Sequence, residues 1–191
     1  MTGPNSQEIR VAGRGRVLTA SLGIAEPTTV EGEWPTGWKD LGYTTTDGVK
    51  LAHKDKIDPI DTWQSISAAR LVHSDRDVTF KFQLLQINED TLPFFHGGGE
   101  VKSDGAISGI YTYAMASNPR LEERMLGVEF TDGSDVVYRL VVARGQVTET
   151  TELSLVRNAP VKLGVTFTAL AAGPDTPLVT FIMKDPSFAV A

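Results

Sequence analysis

The stretch V78-T-F-K-F-Q-L-L-Q-I-N-E-D-T-L-P-F-F95 carries two periodicities with no glycine between them. Val78, Phe80, Phe82 and Leu84 alternate with Thr79, Lys81 and Gln83, so a strand through them presents one apolar face and one polar face. The pattern then breaks. Asn88 suits a helix N-cap, Glu89 and Asp90 suit the positive end of the dipole, and Leu92, Phe94 and Phe95 supply an apolar side. The expectation is a strand that hands over to a short packing helix at about 88–96, able to lid a sheet edge or plug an open core. Pro93 limits its regularity, His96 is placed to cap it, and Gly97, Gly98 and Gly99 end it as a flexible joint.

Around this stretch, 18 glycines and 10 prolines punctuate short runs of Val, Ile, Phe, Leu and Thr, a pattern of strands joined by turns. Leu121–Phe130 and Asp135–Ala143 read as a hairpin around Asp132-Gly133-Ser134. Val136, Tyr138, Leu140 and Val142 share one face and Val137, Arg139 and Val141 the other, so this strand is expected to be central, with Arg139 either finding a partner or reaching out past its stem. Gln146–Leu155 and Pro160–Leu170 read as a second hairpin around residues 157–159. Val161, Leu163, Val165 and Phe167 form its dry face, opposite Lys162, Gly164, Thr166 and Thr168. A small, Thr-rich face is what a strand lining water shows; a plain solvated sheet shows the same, and spacing does not choose between them.

The remaining segments are less apolar. Residues 1–15 read as an N-terminal arm, followed by a strand over 16–23, and residues 174–191 as a C-terminal strand or arm. In Thr44–His53, Asp47-Gly48 marks a hairpin turn. Lys54–Asp61 alternates charges with Ile57 and Ile60 and reads as an exposed excursion, after which Thr62–Leu71 resumes the sheet. Connections this long usually have a function.

At 191 residues the chain has the size of one domain, 16–173, with arms at both ends. Its formal charge of −6 argues against general nucleic-acid affinity. The absence of cysteine excludes disulfides, thiol catalysis and thiolate metal sites. No stretch reaches the roughly 18 apolar residues of a membrane span, and no secretory h-region is expected. His53, His73 and His96 are scattered outside any metal-ligand spacing, the triple glycine lacks the lysine of a phosphate loop, and no serine sits in a nucleophile elbow. No cofactor, metal or catalytic residue is expected. Asp75 with Asp77 and Asp58 with Asp61 are available as carboxylate pairs, although exposed carboxylates are usually only solvated. Arg10, Arg14 and Arg16 suit phosphate, an acidic neighbouring subunit or a solvated arm equally.

The glycine-rich start, W38-K-D-L-G-Y-T-T-T-D-G-V49 and the block R76 to F95 together resemble the major tail proteins that build the tail tube of long-tailed bacteriophages. The likeness runs from about Val17 to about Phe181. It implies a mainly β fold: a β-sandwich or barrel flanked by one short helix, with a long stacking loop and terminal arms. It further implies homo-hexameric rings stacked into a tube, in the virion of a non-contractile phage, assembled in the bacterial cytoplasm and conducting the genome. A tape measure protein would lie inside, terminator and distal tail proteins at the ends, and double-stranded DNA would pass without specific binding. The loop to the adjacent ring would be carried by residues 43–65, with Asp47, Lys54, Asp55, Ile57, Ile60 and Asp61. Arg10, Arg14 and Arg16 would serve as arm contacts, and Thr148, Glu149, Thr151 and Glu152 are read as facing the lumen, where acidic and hydroxyl groups let DNA slide. Two rival readings remain. One is another tail ring or the tube of a contractile injection or secretion system. The other is a carbohydrate-binding or hydrolytic β-sandwich, which requires Trp34, Trp38 or Trp63 beside paired carboxylates in one concave site.

Overall fold

The computed structural model describes residues 3–103, 105, 107–118 and 121–188; the extreme ends of both expected arms lie outside these. Among the described residues, ten strands and one α-helix follow along the chain: β1 Arg14–Ser21, β2 Lys39–Asp40, β3 Lys50–Thr62, β4 Ser65–Leu84, α1 Thr91–Phe95, β5 Val101–Ser103, β6 Tyr111–Tyr113, β7 Arg124–Asp132, β8 Val136–Thr150, β9 Leu163–Ala169 and β10 Thr180–Lys184. The main sheet runs β2-β1-β7-β8-β9-β4-β3, all antiparallel, with β10 added to β8. The fold is mainly β, as expected.

This sheet curls round and joins its own ends through residues 39–45. Asp40 sits opposite Leu18 and the Leu41 N–H donates to the Val17 carbonyl at 2.9 Å, while the Thr45 N–H donates to Gln83 on β4 at 3.0 Å. Between the two pairings the chain turns at Gly42, whose φ of +79° lies in the left-handed region. A side chain there would also overlap the Gln86 amide, whose Oε1 accepts the Tyr43 N–H at 2.8 Å.

Inside the curl, Val78, Phe80, Phe82 and Leu84 of β4 meet Leu163, Val165 and Phe167 of β9 and Val17, Leu126, Val128, Leu140 and Val142. The alternation in β4 sets this face, as the sequence predicts. Phe94 and Phe95 of α1 close the core, Phe94 stacking on Phe167 with ring centroids 6.1 Å apart, while Leu92 is half-buried. The helix is shorter than 88–96. Asn88 caps the turn before it: its Oδ1 accepts the N–H groups of Asp90 and Thr91 at 3.0 and 2.9 Å, and Thr91 Oγ1 accepts the Asn88 N–H at 2.9 Å. The triple glycine is an anchored turn instead of a joint, since the Tyr113 hydroxyl donates to the Gly98 carbonyl at 2.7 Å and Glu122 accepts the Gly99 N–H at 3.1 Å.

The outer face of β1, β7 and β8 is dry as well. Trp34 and Trp38 lie over Leu18, Gly127 and Val141, with Ile182 of β10 beside them. Here Arg139 is buried. Its guanidinium donates to Glu129 at 2.6 Å and to the carbonyls of Thr29 and Gly32 at 3.0 and 2.6 Å, with Trp34 stacked 5.1 Å away. The central placement of this strand was legible from its two-sided apolarity, and of the two expectations for Arg139 the structure takes the partnered one.

Three expectations change. Asp47-Gly48 does not reverse a hairpin, because residues 43–45 and β3 pair with successive parts of the same strand, β4, and residues 46–49 loop out between them. Lys54–Asp61 is not a loop but the middle of β3, and Thr62–Leu71 resumes the sheet as the start of β4, but outside the body. Here β3 and β4 stand out as a two-stranded ribbon turning at Trp63-Gln64, with no buried side chain from Lys50 to Asp77. Finally, β8 is one strand where two were expected, pairing with β7 and β10 over its first part and with β9 over Gly145–Thr150.

Candidate assembly surfaces

The ribbon is amphipathic. Its register continues the core face of β4 outward through Leu51, His53, Asp55 and Arg76 and, beyond a bulge at Ser74, through Ile57, Pro59, Leu71 and His73. The other face continues the polar side with Lys54 opposite Asp77 and Lys56 opposite Asp75. Asp55 forms a bidentate pair with Arg76 at 2.7 and 2.8 Å, which holds its carboxyl below the usual range, assisted by His53 and His73 on the same face. A two-stranded ribbon that buries nothing is marginal by itself. Of the residues expected to stack, Lys54, Asp55, Ile57, Ile60 and Asp61 lie on this ribbon, with Ile57 and Ile60 exposed on opposite faces. Asp47 lies apart at the ribbon's base, in the looped-out turn near Lys50 and Lys81.

A second surface is the polar face of β8, β9 and β4. The bulge at Thr148 turns both Thr148 and Glu149 to one side, where Thr148 hydrogen-bonds Thr168 at 2.7 Å and Glu149 accepts from Thr166 at 3.4 Å. Thr151 covers Gly164 on that side, and Glu152 follows it, exposed, beyond the strand end. Lys81 and Lys50, opposite one another in register, share this face. It therefore carries both signs of charge and is not the acidic surface the Thr/Glu run implied, because the lysines arrive from strands 70 to 100 positions away in sequence. Among the described residues, neither the outer edge of β3 nor the edge of residues 146–150 facing away from β9 is paired.

The arms differ from one another. Arg10 binds Asp185 through Nε at 2.6 Å, and the Tyr138 hydroxyl donates to the same carboxylate, so Asp185 is held far below the usual carboxylate range, chiefly by Arg10. The C-terminal segment pairs with β8 of its own chain through β10. Arg16 pairs with Asp40 at 2.8 Å and with Glu129 at 3.6 Å. Arg14 makes no ion pair or hydrogen bond through its side chain among the described residues. Neither the latch between the termini, 175 positions apart, nor the ribbon's second strand had a local sequence signal.

Among the described residues, the tryptophans and carboxylates of the carbohydrate reading do not come together. Trp34 and Trp38 pack on each other with centroids 4.7 Å apart, Trp63 stands alone at the ribbon tip, and Asp75 and Asp77 face lysines across the ribbon. No cluster of three potential metal ligands occurs among the described residues, and no helix there is long and apolar enough to cross a membrane.

The family model described as "Phage tail tube protein" matches residues 2–191. No curated protein matches the chain. The match spans the curled sheet, the ribbon and both described arms, and it identifies the chain as a structural protein of the virion tail that assembles into a multimeric tube. The chain belongs to the phage tail tube protein family.

Proposed function

We propose that six copies close into a ring by pairing the open edge of β3 in one copy with the open edge of β8 in the next, and that rings stack into a hollow tube through which the genome is delivered. The observation that carries this reading is the half-sheet β8-β9-β4-β3, which has one dry face, one polar face and an unpaired strand at each side. Joining such edges head to tail gives a closed barrel without free edges. Its polar face, with Thr148, Glu149, Thr151, Thr166 and Lys81, then lines the lumen. Hydroxyls and balanced charge offer phosphate no lasting partner, so DNA slides past. The ribbon, with Lys54, Asp55, Ile57, Ile60 and Asp61, reaches the adjacent ring, while Arg14 remains available to a neighbouring subunit.

In this reading the tail is non-contractile, a tape measure protein occupies the lumen during assembly in the host cytoplasm, and terminator and distal tail proteins cap the ends. The protein acts as a conduit without turnover. Electron microscopy of the concentrated protein, followed by helical reconstruction, tests the proposal. Six-fold tubes with Thr148 and Thr166 on the inner wall are expected; tubes with these residues on the outer wall, or of another symmetry, would refute it.

A further inference from the structure

We propose that the ribbon tip of one copy is the knob, and an apolar groove at the ribbon base of another copy the socket, of the contact between successive rings. The inference rests on the stacked-ring reading and assigns the residues that hold the stack.

Trp63 is 97% exposed and Ile66 is fully exposed, making the tip the most exposed large apolar site in the described chain. An isolated indole on a tight turn is a poor use of surface in a subunit that stays alone, and a tryptophan seated in a desolvated pocket is a frequent binding hot spot. The groove opens at the mouth of the curled sheet, where β2 leaves the start of β1 uncovered. Its apolar wall is formed by Val49, Leu51, Phe130 and Phe181, with Thr46 and Glu129 on its polar side, and it holds about 560 Å³, room for an indole and the aliphatic side chain beside it.

Distance supports this occupant. The tip lies 12 residues beyond Leu51 along β3, about 40 Å at about 3.3 Å per residue. A tip therefore cannot fold back into its own groove, but it reaches the groove of a copy displaced by up to about 40 Å along the ribbon. Knob and socket are different surfaces of the same chain, so the contact is heterologous and repeats without closing, as a tube of many rings requires.

The natural absence of cysteine makes the test clean. Gln64→Cys at the tip and Thr46→Cys at the groove rim are introduced together with Trp63 retained, tubes are imaged, and the oxidised sample is run on a non-reducing gel. The expected result is tubes with a ladder of disulfide-linked multimers, and a Trp63→Ala variant that needs about tenfold or more protein to form tubes. Tubes without a ladder would overturn the knob and socket but leave stacking intact. So would dimers from Gln64→Cys alone, which report tip-to-tip contact, or a ladder between Thr46→Cys and Ile9→Cys instead, which gives the groove to the N-terminal arm. If the unmodified chain forms neither rings nor tubes under any condition, the stacked-ring reading fails, and this inference with it.

Discussion

Glu129→Ala should be the most damaging single truncation of a charged side chain in this subunit. The side chain of Arg139 is 4% exposed and that of Glu129 12%, and they meet at 2.6 Å. The same carboxylate oxygen also accepts the Trp34 indole N–H at 2.9 Å. Truncation leaves a buried guanidinium with only two loop carbonyls and an indole without its acceptor. Breaking a buried ion pair from one side costs about 3–5 kcal/mol, a large part of a typical total of about 5–15 kcal/mol. For a chain of this size that corresponds to a fall in Tm of about 6–20 °C. Urea denaturation followed by tryptophan fluorescence measures it, because Trp34 lies against the pair. The double variant Glu129→Leu/Arg139→Met should lose less than the sum of the two single changes by more than about 1 kcal/mol, since it leaves no buried charge. If Glu129→Ala is within about 1 kcal/mol of the unmodified protein, the pair is solvated and its structural role is wrong.

Three further outcomes are expected. Gly42→Ala, which forces a side chain into the left-handed region and against Gln86 at the point where the sheet closes, should lose about 2–3 kcal/mol by chemical denaturation. Asp185 has a folded-state pKa depressed by Arg10, so its contribution is present above the unfolded value of about 3.9 and is lost as pH falls through the lower folded value; the stability curves of the unmodified protein and Asp185→Asn should therefore differ at pH 6 and converge only below about pH 4. Ile57→Asp with Leu71→Asp, both on exposed positions of the ribbon's apolar face, should leave subunit Tm within about 2 °C while abolishing tubes in the microscope; intact tubes would remove that face from the interface.

Much of the body was legible because its signals are local. Alternation at Val78–Leu84 set the core face of β4, two-sided apolarity made the strand around Arg139 central, and the Asn88 cap announced the turn into α1. The ribbon was read as a loop for an equally physical reason. A strand that buries neither face need not alternate in hydrophobicity, and Lys54, Asp55 and Lys56 find their partners only across the register, in Asp77, Arg76 and Asp75. The mixed charge of the polar face was hidden likewise, since Lys81 and Glu149 come onto one face only when β4 and β8 flank β9.

The sequence by itself determined that this is a mainly β, cysteine-free chain, and its motifs identified the tube family, because composition, alternation and turn residues act over a few positions. Only the tertiary structure decided that the sheet closes through residues 39–45, that the charged segment stands out as a paired ribbon, and that a groove opens at its base. Those features depend on backbone pairings between segments tens of residues apart, and hydrogen-bonding groups common to every residue leave no mark on side-chain order.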